Sequence, residues 1–229
     1  MIHSITDMLF RPDTFFRKWS AEEGSLKIPA VIVLIGAIIS AVFGYTVSVI
    51  YAKMFAQGAG EGVASLLGII GGVSAFFGFL IMWWLILAGV FFVLSRFFKG
   101  EGDFKRILEV VSFGLIPVII GTLVSLALSF YYMPLVRVPV IKSLTDPVAV
   151  QSAMQTVLLD PAYKEFMLVT VLISVIFIFW SANIWIFGMK YARNLTLKNS
   201  ALTVGIPVCI YVIYMLITAV FGVSLFGGQ

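Results

Sequence analysis

The chain has 229 residues, of which 61% are hydrophobic and 11% charged, and its mean hydropathy is +1.10. A soluble domain is about 45–50% apolar and about 25% charged, so this composition excludes an ordinary globular, a disordered and a collagen-like protein. The net charge of +4 comes from basic residues beside long apolar runs, which predicts an integral membrane protein and argues against nucleic-acid binding.

Residues 1–27 form the first element, predicted as a cytoplasmic, amphipathic interfacial segment of one or two short helices. Apolar residues recur at helical spacing at Ile2, Ile5, Met8 and Leu9. Arg11 and Pro12 then interrupt the pattern, and Asp13 is expected to cap a second helix. That helix carries Phe15, Phe16, Arg17, Lys18 and Trp19. Its aromatic residues either insert at the lipid headgroups or pack against the ends of the spans.

Five uncharged runs follow, each long enough to cross about 30 Å of hydrocarbon. They are residues 28–52, 63–95, 107–130, 166–189 and 202–226. The fold class is therefore an all-α integral membrane protein, with a five-transmembrane-helix domain over residues 28–229. The first run is too long for a cleavable signal peptide, so it is expected to be retained. The second run is longer than one crossing needs, and residues 63–75 form either a helix extension or an interfacial turn.

Lysines and arginines predict the orientation, because basic loops stay in the cytoplasm. Eleven basic residues lie in the amino-terminal segment and in the loops after the second and fourth runs, whereas four lie on the opposite side. The amino terminus is therefore predicted to be cytoplasmic and the carboxyl terminus outside. The long loop between Tyr131 and Glu165 is then extracytoplasmic. Asp146-Pro147 and Asp160-Pro161 should each begin a helix there, the first a short surface helix rather than a substrate lid.

Enzyme activity is not predicted, and no cofactor or metal is expected. His3 is the only histidine and Cys209 the only cysteine, so zinc motifs and histidine-based triads are excluded within one chain. Two polar residues within the spans are functional candidates. Glu109 is expected to pair with Lys105, or to form a proton or ion site. Asn183 is expected to form a hydrogen bond with another span.

Small residues recur every three or four positions in the first three spans, as at Gly36, Ser40, Gly44 and Ser48. Such a stripe allows helix backbones to approach closely. The stripe favours packing within the chain over dimerisation, and a homo-oligomer stays possible. Pro117 lies about ten residues into the third run, whereas Pro207 lies near the start of the fifth. Pro117 is therefore expected to matter more for helix packing.

Two stretches resemble the Yip-domain family. Residues 98–119, FKGEGDFKRILEVVSFGLIPVI, resemble its Gly-x-Gly-x-Phe loop and the following aromatic-small-x-x-Pro span core, here with Gly114 and Pro117. Residues 180–207, ending GMKYARNLTLKNSALTVGIP, resemble its fourth span, basic loop and fifth-span entry at Pro207. Phe10-Arg11-Pro12, with Phe15 and Phe16, resembles the amino-terminal entry of prokaryotic members.

The resemblance implies five spans and a cytoplasmic amino terminus. Eukaryotic members bind Rab GTPases, but their long amino-terminal region and Asp-Leu-Tyr-Gly-Pro motif are missing from this sequence. We therefore expect a prokaryotic member, located in the cytoplasmic membrane.

The leading functional hypothesis is a non-enzymatic interaction or scaffold protein of the membrane. A transporter or channel for a small solute is the alternative, and a lipid-acting enzyme comes after it. The predicted working surface is cytoplasmic and basic, with membrane lipids, particularly anionic ones, or an unidentified protein as its partner. It comprises Arg11, Phe15, Phe16, Lys18, Trp19, Lys99, Lys105, Arg106, Arg193 and Lys198.

Overall fold

The computed structural model describes residues 5–141 and 146–225, and only the backbone at residues 56–59, 61, 63, 64 and 220–225. Ile2, His3, Lys142 and Phe226, which entered the sequence predictions, lie outside the described residues. Over the described chain the structure is helical. Its elements are α1 (Ile5–Phe10), α2 (Pro12–Trp19), α3 (Lys27–Ala59), α4 (Glu61–Gly78), a π-helical segment (Phe79–Ile86), α5 (Leu87–Phe97), α6 (Phe104–Tyr132), α7 (Pro147–Leu159), α8 (Pro161–Ala192) and α9 (Leu197–Leu225).

Five helical stretches within the described residues are long and apolar enough to cross a membrane. They are Lys27–Phe55, Ser65–Phe97, Phe104–Leu135, Pro161–Ala192 and Leu197–Ala219. Large apolar side chains on them face outward, including Ile176 and Ile210, which are 65% and 64% exposed. A surface of this kind suits a lipid environment. The predicted all-helical, five-span fold is confirmed.

The structure of the second span decides whether residues 63–75 are a helix extension or an interfacial turn. These residues lie inside α4, which continues without a break through the π-helical segment into α5. They are a helix extension rather than an interfacial turn. The π-helical segment was not predicted, because a change from i−4 to i−5 hydrogen bonding has no clear signal in an apolar sequence.

The chain divides into two compact units. Unit 1 comprises Met1–Ala37, Gly78–Ile120 and Val175–Val212. Its core includes Trp185, Phe91 and Leu115, all completely buried. The rings of Phe91 and Trp185 meet edge to face with their centroids 5.6 Å apart.

Unit 2 comprises Ile38–Phe77, Gly121–Ser174 and Ile213–Gln229. Its core cluster is formed by Ile50, Met54, Met133, Val136, Ile141, Ala153, Val157, Tyr163 and Phe166. The small-residue stripe brings α3 and α4 together here, since a Cβ atom on Gly44 would lie 2.5 Å from the Cβ atom of Ala75. The predicted packing role of the stripe is therefore seen within the chain at this point.

Both predicted helix starts in the long loop are confirmed, and both lie in unit 2. The Asp146 carboxylate accepts hydrogen bonds from the amides of Val148 and Ala149 at the start of α7. The Asp160 carboxylate accepts from the amides of Ala162 and Tyr163 at the start of α8. In both cases proline occupies the first helical position, where its missing N–H would have had no partner.

Candidate functional site

The basic residues of unit 1 differ in their exposure. Of the eleven that the sequence placed on one side, eight are exposed, two are partly buried and one is buried. We refer to the exposed group as the basic surface. It consists of Arg11, Arg17, Lys18, Lys27, Arg96, Lys99, Lys105 and Lys198. Five of the ten side chains predicted for the working surface belong to it, namely Arg11, Lys18, Lys99, Lys105 and Lys198.

The aromatic residues predicted for the working surface are in the interior instead. Phe15, Phe16 and Trp19 are 7%, 0% and 5% exposed, and each packs against the Phe113 ring of α6. Of the two alternatives for this segment, packing against the spans is the one observed. The cause is that α2 has one strongly apolar side, and this side is covered by protein rather than by headgroups.

Helix α1 is attached to α8 in the same way. The Trp180 indole N–H donates a hydrogen bond to the carbonyl oxygen of Leu9 at 3.0 Å, and the Trp180 and Phe10 rings lie 5.6 Å apart. Met8 is 2% exposed. The amino-terminal segment is therefore a packed part of unit 1.

Asp13 does not cap α2, contrary to the prediction. The helix begins at Pro12, its N-cap residue is Arg11, and no side chain caps it. The Asp13 carboxylate instead accepts hydrogen bonds from the Lys190 ammonium at 2.8 Å and the Tyr191 hydroxyl at 2.9 Å. The hydrogen bond from Lys190 is the main cause that holds the pKa of Asp13 below its usual value. A charged partner on α8 thus replaces the local cap.

Arg106 holds the chain that leads from α2 into the first span. Its Nη2 atom lies 3.1, 3.4 and 3.0 Å from the carbonyl oxygens of Trp19, Ser20 and Glu22. The guanidinium also lies over the Trp19 ring, 3.7 Å from its centroid. Arg106 therefore acts inside unit 1 rather than on the predicted working surface.

Glu109 forms an ion pair, but not with the predicted partner. Its Oε2 atom accepts a hydrogen bond from Arg106 Nη1 at 3.1 Å, and the Glu109 side chain is 2% exposed. Lys105 instead donates to the carbonyl oxygen of Gly24 at 2.7 Å. Arginine is the better partner because its guanidinium can bind the carboxylate and three backbone carbonyl oxygens at once.

Arg193 is the buried member of the basic group, being 2% exposed, so its predicted place on the working surface is wrong. Its Nε atom donates to Ser95 Oγ at 3.0 Å and its Nη2 atom to the Gly100 carbonyl oxygen at 2.6 Å. Its Nη1 atom donates to the Gly102 carbonyl oxygen. Burial lowers the pKa of Arg193, but arginine stays protonated at any physiological pH. The bound acceptors offset the cost of burying the charge.

The loop that Arg193 binds contains two residues with left-handed backbone angles, Lys99 (φ 58°) and Gly102 (φ 106°). A Cβ atom on Gly102 would lie 2.8 Å from the carbonyl oxygen of Ala192, the residue before Arg193. This contact explains the second glycine of the Gly-x-Gly loop. The loop and the α8 end are therefore one connected structure. Lys99 is exposed on this loop, and Lys198 is exposed in the first turn of α9.

The remaining predicted residues lie on the spans. Asn183 is exposed on α8, and among the described residues its side chain has no hydrogen-bond partner, so the expected bond to another span is not formed. Gly114 and Pro117 are buried in α6. Pro207 is not near a helix end as predicted, because α9 begins at Leu197 and the proline lies ten residues inside it. The prediction placed the start of the span too late because the polar first turn of α9 is also helical.

The arrangement offers charge and shape rather than reactive groups. Within the described ranges, no three His, Cys, Asp or Glu side chains are grouped so that they could hold a metal ion. What unit 1 presents is a set of exposed cations on a scaffold held by Arg106 and Arg193. Sequence reasoning counted these two arginines among the exposed ones, because a charge count cannot tell a solvated arginine from one that binds backbone carbonyl oxygens.

Comparison with known proteins agrees with this architecture. The family model of the Yip1 domain matches residues 6–220. An uncharacterized protein of the archaeon Methanocaldococcus jannaschii is 37% identical over 131 residues, which cover 57% of this chain and 92% of the relative. This relative agrees with the expectation of a prokaryotic member. No solved structure matches the chain. The family match extends over nearly the whole described chain, and the protein therefore belongs to the Yip1 domain family.

Proposed function

We propose that this protein is a non-enzymatic interaction protein of the membrane, whose basic surface binds the headgroups of anionic lipids. The observation that supports this most is the exposure of eight basic side chains in unit 1, against four exposed acidic ones there, Glu22, Glu23, Glu101 and Asp103. Four of these cations, Lys27, Arg96, Lys105 and Lys198, lie in the first or last turn of an apolar span, where anionic headgroups are expected.

The fixed scaffold beneath the basic surface also supports the proposal. Arg106 and Arg193 together donate hydrogen bonds to five backbone carbonyl oxygens, those of Trp19, Ser20, Glu22, Gly100 and Gly102. Lys99 lies in the loop that Arg193 holds, and Lys18 lies on α2. Their positions are set before a lipid binds, which reduces the ordering cost of binding.

A charge-removal variant tests the proposal. We expect that Lys18→Gln, Lys99→Gln and Lys198→Gln together weaken the binding of a short-chain phosphatidylglycerol by up to about a hundredfold, because each basic residue near an anionic surface contributes about 1 kcal/mol. The dissociation constant is measured for the full chain in zwitterionic detergent. The loss should shrink as salt is raised, because the charges are exposed.

A matched control removes the same charge from unit 2. Lys53→Gln, Arg137→Gln and Lys164→Gln should leave the phosphatidylglycerol dissociation constant nearly unchanged. If wild type and the Lys18, Lys99 and Lys198 variant bind phosphatidylglycerol equally well, the basic surface only orients the chain in the membrane and does not bind lipid. Binding of an acidic polypeptide without binding of the lipid would assign the surface to a protein partner instead.

The proposal requires the basic surface to face the cytoplasm, as the distribution of lysines and arginines predicts. A reporter that is active only in the cytoplasm should therefore be silent when fused after Gln229 and active when fused before Met1. Activity of the Gln229 fusion in a correctly inserted chain would contradict the predicted orientation.

A further inference from the structure

Unit 1 contains a cavity of about 340 Å³ that is separate from the basic surface. Its walls come from three parts of the unit: the π-helical segment with α5, the second half of α8, and the first half of α9.

The cavity lies deep within the predicted hydrocarbon layer. Val90 is seven residues from Phe97, where the second span ends, Trp185 is seven residues from the end of α8, and Pro207 is ten residues from the start of α9. At 1.5 Å per residue, every wall is about 10 Å or more from the nearer helix end. Bilayer lipid chains, rather than water, surround this part of the unit.

The cavity is open on its outer side and closed on its inner side. At the rim, Met82, Ile86 and Tyr211 are 58%, 45% and 36% exposed. At the floor, Trp185, Ile178 and Val208 are completely or almost completely buried. An occupant would therefore enter sideways from the bilayer.

Two backbone features shape the opening. The Leu87 amide donates to the carbonyl oxygen of Met82, five residues back, so the helix has a wider turn where it lines the cavity. Pro207 has no backbone N–H and interrupts the hydrogen bonding of α9. The Trp83 and Tyr211 rings meet edge to face at 5.1 Å and join the two sides of the rim.

The lining suits a hydrocarbon. Apart from the Met82 thioether, its polar side-chain atoms belong to Trp83, Trp185 and Tyr211, and the Trp185 N–H is already used by the carbonyl oxygen of Val111. A buried water needs two to four polar partners, and a polar solute needs more. The volume is near the lower limit of ligand pockets, about 300–1,000 Å³, so it accommodates one chain rather than a whole lipid.

We propose that this cavity is a lateral binding site for one acyl chain of a bilayer phospholipid. The site is independent of the basic surface, because it recognises the chain and not the headgroup. It would hold a lipid at a fixed position on unit 1, between α5 and α9.

Photolabelling in vesicles of phosphatidylcholine alone tests the site without any anionic lipid. A phosphatidylcholine with a diazirine in the middle of one acyl chain is included, and labelled residues are mapped after irradiation. Labelling of Leu87, Val90 and Val208 is expected to exceed that of the outward-facing Leu172 and Ile176 of α8 at least fivefold. Equal labelling of both sets would mean ordinary lipid contact and would overturn the proposal.

Two further variants make the result specific. Val90→Phe fills the cavity and should reduce labelling of Leu87 and Val208 at least fivefold, whereas Val93→Phe, the same change at a 55% exposed position on α5, should not. Labelling that survives Val90→Phe contradicts the proposal.

A cysteine variant decides the question even if Val90→Phe does not fold. In a Cys209→Ala background, Leu87→Cys should resist a water-soluble maleimide in intact vesicles. Its modification would show an aqueous cavity, and a disulfide between two chains would show a second copy in the groove. Either result would contradict the proposal that an acyl chain occupies the cavity.

Discussion

Arg193→Ala is expected to lower the free energy of unfolding by about 2–4 kcal/mol, because it leaves three acceptors without their donor, one of them completely buried. These are the Ser95 hydroxyl and the carbonyl oxygens of Gly100 and Gly102. The loop that contains Gly100 and Gly102 should also open, since the bonds from Arg193 tie it to the end of α8. Thermal unfolding in detergent measures the first effect, and the rate of tryptic cleavage after Lys99 measures the second.

Arg193→Lys and Arg17→Ala provide the comparisons. An ammonium group cannot reach three acceptors that lie around a planar guanidinium, so Arg193→Lys should recover only part of the stability. Arg17 is exposed on α2, and its replacement should change the free energy of unfolding by less than about 0.5 kcal/mol. If Arg193→Ala unfolds at the wild-type temperature and is cleaved no faster, the bonds seen at Arg193 do not hold the loop.

The parts of the fold that could be predicted are those set by local or compositional rules. A span needs about 20 apolar residues because the bilayer core has a fixed thickness, and the five runs meet this condition independently of one another. The caps at Asp146 and Asp160 could also be predicted from the sequence, because a capping acid and the proline after it act within a few residues.

The features that could not be predicted depend on partners far away in the sequence. Asp13 follows its proline rather than preceding it, so α2 begins at Pro12, and the Asp13 carboxylate binds Lys190 and Tyr191 of α8 instead of capping the helix. The amphipathic pattern of α2 fits headgroups and protein equally well, so only the position of Phe113 decides between them. The cavity depends on a π-helical segment and a proline that come together only where three spans pack.

Gly114→Ala is expected to destabilise the protein by about 1–3 kcal/mol, because the added methyl group has no space. A Cβ atom at this position would lie 2.0 Å from Nε1 and 2.2 Å from Cδ1 of the Trp185 ring. The ring cannot move away easily, since it is completely buried, donates to the Val111 carbonyl oxygen and packs on Phe91. The melting temperature in detergent should fall accordingly.

Gly89→Ala is the matched control, because a Cβ atom at Gly89 would meet no other atom within 4 Å. It should leave the melting temperature unchanged or raise it, as alanine is the better helix former by about 1 kcal/mol. A smaller ring should relieve the clash, so Gly114→Ala combined with Trp185→Phe should lose less stability than the two single changes added together. Strict additivity would show that the cost of Gly114→Ala does not arise from contact with the Trp185 ring.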